Sequence, residues 1–365
     1  MHVKTEHPRT ATRLLAVDNL RVVLTLLVVL HHVAVTYGNI PMWYYVEDAR
    51  DPSGLALDIL VVVNQAFFMG FFFLLSGFFT PASFDRKGGR AFVRDRLLRL
   101  GVPLLVFVLL LRPLVTLPQY LAQGGGASYA EFYLRTWDPG PMWFAEVLIV
   151  FVVAYAVWRG LRRAGQEEAP AAPPRFRSLL LFAAGLAVAT FVWRLAVPTG
   201  TYVPVLGLPS PDYLPQYVAM FAAGPVAFRR RWFETLPRRT GRAGLITAAV
   251  AASTLLPLSA TTKGVLSSAA GAAWQSFFAV GIIAGLVVIF RERFDRQGPL
   301  GGFLSAHAYT VYVVHPIVLV AVALAFRWLE AAAVVKFAIV AVISLPLCWG
   351  LAYLVRSLPG AKRIL

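Results

Sequence analysis

The sequence predicts an all-α, polytopic membrane protein of about ten transmembrane helices with both termini in the cytoplasm. Three observations carry that prediction. The 365 residues are 58% hydrophobic and 14% charged, where a soluble domain has about a quarter charged residues, and the mean hydropathy is +0.68. Apolar runs long enough to cross a bilayer recur along the chain. The basic residues fall almost wholly on alternate loops between those runs.

In chain order the expected spans are 18–38, 55–80, 100–118, 141–158, 179–197, 213–228, 244–260, 268–290, 302–326 and 333–355. The stretch 1–17 is a polar cytoplasmic segment. The first run ends in Thr36-Tyr37-Gly38-Asn39 with no small-residue cleavage motif, so it reads as a retained span and not a signal peptide. The runs at 213–228 and 244–260 are short and rich in alanine and glycine, the pattern of shallow, tilted or broken helices. Residues 18–356 form a single transmembrane domain and 357–365 a cytoplasmic tail. The loop Gly165–Pro174 reads as flexible filler, and no loop is long enough to fold on its own.

Of the 34 Lys and Arg residues, 26 lie before the first span, in 82–99, 159–178, 229–243 and 291–301, or after 355; four lie on the intervening loops. That split places both ends of the chain inside and requires an even number of crossings. The formal charge of +16 is therefore an orientation signal and not a nucleic-acid footprint. Cys348 stands alone, which excludes an intrachain disulfide and a cysteine-based metal cluster.

The outer segments are aromatic and polar. The first, 39–54, holds Trp43, Tyr44, Tyr45, Glu47, Asp48 and Asp51. Such residues form an aromatic belt at the headgroups, or a platform for a sugar-like polar acceptor.

Chemistry centres on the first span. Arg21 and His32 are eleven residues apart, which on a helix returns the side chain to within about 20° and separates the two by ~16 Å. Arg21, Thr25 and His32 thus form one column, while His31 points about 80° away. Intramembrane charged and titratable groups face the bundle interior or a wet cavity. Arg21 reads either as an interfacial arginine snorkelling to headgroups or as a holder of phosphate at the inner mouth. His32 reads either as a satisfied interhelical hydrogen bond or as a general base, since an imidazole away from bulk water keeps the neutral form a base needs. His315, in Tyr312-Val313-Val314-His315-Pro316, falls at matching depth in the ninth span. Glu146, at the opening of the fourth span, is a carboxylate that orients a histidine or an acceptor hydroxyl, or is solvated. Arg96 and Arg99 are neighbours on one helix face, either as positive-inside anchors or as a cradle for an anionic co-substrate. Ser76-Gly77 offers small surface for close helix contact more readily than a nucleophile. Metal binding by His31, His32 and His315 lacks supporting ligand spacing, and no metal is expected.

On these residues the chain resembles the acyltransferase 3 family of integral membrane acyltransferases. The resemblance rests on Asn19-Leu20-Arg21 with ten residues between Arg21 and His32, the segment Phe72 to Phe79, Arg96-x-x-Arg99 before Pro103, Trp143-Phe144 and Tyr312-x-x-His315-Pro316. Leu20-Arg21-Val22 and His31-His32 are most similar to the glucan biosynthesis protein C branch. The resemblance implies a bacterial cytoplasmic membrane protein that takes acyl-CoA, with acetyl-CoA the expected donor, from the inside and acylates an extracytoplasmic glycan or other polar acceptor. It implies that His32 is the essential histidine, Arg21 its partner, and Arg96 and Arg99 the positive pair at the co-substrate mouth. His315 and Glu146 are then candidates to orient His32, and Tyr312, Asn64 and Gln65 candidates to stabilise the oxyanion. The rival reading is a proton-coupled transporter or flippase with Arg21 and His32 on its coupling path.

Overall fold

The structure is a computed structural model and describes residues 14–124, 126, 128–161, 172–203 and 207–365. Most of the polar segment 1–17 and of the loop 165–174 lies outside the described residues.

Eleven long helices follow one another: α1 (Leu15–Tyr37), α2 (Gly54–Gln65), α3 (Phe68–Lys87), α4 (Gly89–Ala122), α5 (Trp143–Leu161), α6 (Phe176–Ala196), α7 (Leu214–Arg229), α8 (Arg238–Thr261), α9 (Gly264–Arg293), α10 (Pro299–Ala325) and α11 (Ala333–Ser357). α2 and α3 form the two halves of the second span, broken at Ala66 and Phe67. Among the described residues nine segments are long and apolar enough to cross a membrane. The sixth expected span, 213–228, is α7, whose 16 residues reach about 24 Å at 1.5 Å per residue, short of a ~30 Å hydrocarbon core.

α1 is the hub. Its apolar stretch is 67% buried, as are those of α9 and α10, against 17% for α8, because α2, α9, α10 and α11 pack around it. The exposed side chains of the outer helices are apolar, such as Leu109, Leu181 and Val342, as a hydrocarbon solvent requires. The described ends of the chain meet at one end of the bundle. There Asn19 donates to the carbonyls of Phe294 and Arg296, while Ile364 and Leu365 share a cavity mouth with Asp18 and Arg21.

The run at 244–260 is neither short nor broken: it lies within α8, a 24-residue helix. Its glycines, which weaken it as an isolated helix, set its packing. A Cβ on Gly244 would stand 2.7 Å from the Gly281 carbonyl oxygen, and one on Gly281 would stand 2.4 Å from that of Gly244. Small residues thus let α8 and α9 approach backbone to backbone.

α3 and α7 meet in the same way, with proline adding to the effect. Pro225 has no N–H, so the Phe221 carbonyl lacks its helical donor, and the Cα of Gly77 lies against it. A Cβ on Gly77 would stand 2.2 Å from the Phe221 oxygen. Ser76-Gly77 is therefore a packing surface, with Ser76 also on the cavity wall. Gly77→Val is expected to destabilise the detergent-solubilised protein by about 1–3 kcal/mol, the usual cost of overpacking. Thermal unfolding is the readout, and an unchanged melting temperature would refute the close approach.

Candidate active site

A cavity of about 1420 Å³ runs along α1, from Asp18 and Arg21 past His31 and His32 to Arg194, Thr199 and Ser210. A single small molecule usually fills about 300–1,000 Å³, so this volume has room for two partners. The column Arg21, Thr25, His32 faces it along its whole length. Thr25 bonds back to the Arg21 carbonyl at 2.9 Å.

At one mouth stand Arg21, Arg96 and Arg99, against Asp18. Arg21 pairs with Asp18 at 3.5 Å, and Arg99 with Asp95 at 3.3 Å. Arg96 lies over the Phe92 ring at 5.4 Å. Arg99 sits where α4 departs from regular winding, in a π-helical turn over Leu97–Gly101, and Arg96 immediately precedes that turn. Pro103 explains part of this, because without an N–H it leaves the Arg99 carbonyl free. The Tyr309 hydroxyl takes that carbonyl at 2.6 Å, which ties the basic turn of α4 to α10.

Halfway along the cavity the imidazoles gather. His32 bonds through Nδ1 to the Val28 carbonyl at 2.8 Å. A carbonyl can only accept, so Nδ1 carries the proton and Nε2 keeps a lone pair. His315 is held likewise, Nδ1 donating to the Tyr312 carbonyl at 2.8 Å. That carbonyl is available because Pro316, four residues on, has no N–H for it; the spacing of tyrosine, histidine and proline is a device for fixing an imidazole. The His32 and His315 ring centroids are 4.9 Å apart. Trp43 descends from the segment that joins α1 to α2 to lie 4.0 Å from His32 and 5.9 Å from His315. His315 is fully buried behind His32, and does not line the cavity.

The structure departs from the sequence expectations at three points. His31 shares the cavity with His32 although it is off the column, because the cavity is wide enough to reach two faces of α1. Glu146 is half-buried but outside the cavity lining, and the Nδ1 atoms of both histidines are already bonded to backbone carbonyls. The three oxyanion candidates have spent their hydrogens. Tyr312 donates to the Pro141 carbonyl, Asn64 to the Leu27 carbonyl and His31 Nδ1, and Gln65 to Ser210 and Tyr217. Since Asn64 donates to its Nδ1, His31 carries its own proton on Nε2. It is therefore an N–H donor beside a lone-pair base, with ring centroids 5.3 Å apart.

Sequence reasoning missed Trp43 and a second buried cluster at the far mouth. There Arg194 donates to Asp212 at 2.8 Å and to Gln275. An arginine three residues from the end of an apolar run was the available signal. The loops at that end of the bundle are pinned by Arg112, fully buried, which reaches Asp138 at 3.3 Å and stacks on Tyr133 at 4.5 Å. Tyr44 donates to the same carboxylate at 3.4 Å, and burial and the Asp138 charge hold its phenol well above the usual range. Gly140, at φ +52°, leaves no room for a Cβ beside that hydroxyl. This cluster fixes the segment that carries Trp43. Among the described residues no group of three or more His, Cys, Asp or Glu is arranged to hold a metal ion.

Comparison with known proteins places this arrangement. A model of the acyltransferase 3 family, described as an acyltransferase domain, matches residues 14–353. Among curated relatives, a glucans biosynthesis protein C of Escherichia coli strain SMS-3-5 is 28% identical over 163 residues, 42% of this chain and 40% of the relative. Its counterpart from E. coli O17:K52:H18 is 25% identical over 265 residues, 67% of this chain and 66% of the relative. The chain thus spans less than two thirds of the length of these relatives. No solved structure matches it. The family match extends over the bundle, its basic mouth and its buried imidazoles alike, and the chain belongs to the acyltransferase 3 family.

Proposed function

We propose that the protein is an O-acyltransferase of the bacterial cytoplasmic membrane that moves an acyl group, acetyl first among candidates, from cytoplasmic acyl-CoA to a hydroxyl of an extracytoplasmic glycan or other polar acceptor. The observation that carries this reading is a single cavity joining a mouth of three guanidinium groups to an imidazole with a free lone pair halfway along α1. The basic mouth faces the cytoplasm, with the ends of the described residues beside it, in keeping with the loop charges.

Arg96, Arg99 and Arg21 hold the phosphates of the co-substrate. The extended pantetheine arm then covers the ~16 Å from Arg21 to His32. His32 Nε2 takes the proton of the acceptor hydroxyl, whose oxygen attacks the thioester carbonyl. The His31 N–H faces the oxygen that becomes negative. The carbon–sulfur bond breaks, the acyl group stays on the acceptor, and the thiolate recovers the proton from His32. His315 and Trp43 hold the His32 ring in place, and no proton passes through them. Glu146 has no assigned step.

Reconstituted protein should consume acetyl-CoA only with a hydroxylated acceptor present, and mass spectrometry should find one acetyl substituent per modified hydroxyl. A cavity that reaches both ends of the bundle also suits a transporter. Uptake of a glycoside into proteoliposomes without acylation would favour that reading and refute this one.

A further inference from the structure

The residues that follow α11 fold back onto the bundle. The helix ends at Ser357, Leu358 is extended, and Gly360 takes a left-handed φ of +80°. Glycine adopts that conformation without steric cost, and it leads the chain into a short helical turn over Ala361–Ile364. Lys362 and Arg363 of this turn are exposed, whereas Ile364 and Leu365 are half-buried. Leu365 packs against the core, and the turn approaches the π-helical turn Leu97–Gly101 of α4. Arg356 donates to the Ala306 carbonyl, which fixes the root of the segment to α10.

Ile364 and Leu365 thereby stand on the wall of the mouth that also holds Arg21, Arg96 and Arg99. A segment that only anchored the chain at the bilayer surface would bury such apolar side chains among lipids. Here the charged side chains are the exposed ones and the apolar pair lines the cavity. Ligand sites commonly have this make-up, an apolar wall with a few placed polar groups. Guanidinium groups beside an apolar ledge match a ligand that is anionic at one point and flat and weakly polar at the next. The nucleotide end of acyl-CoA has that form, with phosphates on the ribose and an adenine ring beyond them. A phosphopantetheine without its nucleotide has nothing to set on the ledge.

We propose that Ile364 and Leu365 seat the adenine ring, so that the turn carrying them makes this mouth prefer a nucleotide-bearing thioester. The identity of the co-substrate rests on the acyl-transfer reading. The test is calorimetric titration of the full chain in lipid nanodiscs with coenzyme A and with 4′-phosphopantetheine. The double variant Ile364→Ser, Leu365→Ser is expected to weaken coenzyme A about tenfold, the scale of two lost apolar contacts, and to leave phosphopantetheine unchanged. Its melting temperature should not move, because the turn lies at the edge of the bundle. Gly360→Val keeps every side chain of the turn but strains the left-handed φ, and should weaken coenzyme A with the same selectivity. Equal weakening of both probes, unchanged coenzyme A affinity in the double variant, or no binding of coenzyme A to the unaltered protein would overturn the proposal. Coenzyme A binding of the expected kind without any acyl transfer would count against the catalytic reading alone.

Discussion

His32→Ala is expected to lower kcat for acyl transfer by about 10²–10⁴-fold, the range a positioned general base contributes, with the KM for acetyl-CoA changed little. The co-substrate's charged end is held ~16 Å away along α1, so loss of the ring removes the proton acceptor and not the binding energy. The packing around His32 makes the substitution a local one. His31, Trp43 and His315 bound the vacated space with ring centroids within about 5.3 Å of the missing ring. Free imidazole added to the assay should therefore restore part of the activity of His32→Ala and none to an Arg96 variant. His315→Ala should cost less, because that ring touches His32 but not the cavity. Thioester turnover at an unaltered rate in His32→Ala would remove the base from the mechanism.

Arg96→Gln is expected to raise the KM for acetyl-CoA by about 10–150-fold, because a hydrogen bond to a charged group contributes about 1.5–3 kcal/mol. Its kcat should stay within a few-fold, since the interaction is alike in the ground and transition states. Arg99→Gln should do less. The Arg99 side chain is 51% exposed and already shares its charge with Asp95, so solvent screens much of its attraction. Assay with a co-substrate lacking the 3′-phosphate separates contact from general field. If Arg96 bonds that phosphate, removing both should cost little more than removing either one. An unchanged KM in Arg96→Gln would move the co-substrate away from this mouth.

The sequence made the helical skeleton readable because hydrocarbon as solvent leaves few choices. Each spanning run must satisfy its backbone internally, so apolar length and loop charge outline the bundle. The column of Arg21, Thr25 and His32 was equally legible, since helical spacing is arithmetic. The difficulty at 244–260 had a physical cause: glycine lowers intrinsic helix propensity, yet in a membrane it is what lets two helices touch. The 16-residue α7 shows the same limit. Its packing against α3 depends on Gly77 and Gly224, a pairing that spacing within either helix does not reveal.

The site divided along the same line. Spacing within one element found His32 and the Arg96–Arg99 pair, and it set His315 at the depth of His32. It did not find the tautomers, which depend on which carbonyl each imidazole meets, or the fate of the Tyr312, Asn64 and Gln65 hydrogens. Trp43 reached the histidines through the irregular segment between α1 and α2, where no periodicity fixes direction. The cluster of Arg194, Asp212 and Gln275 joins positions 18 and 81 residues apart. By itself the sequence determined a membrane-embedded helical bundle with an imidazole and a guanidinium on one stripe. The tertiary structure decided what those groups face, because contacts between helices depend on side-chain packing that no single helix encodes.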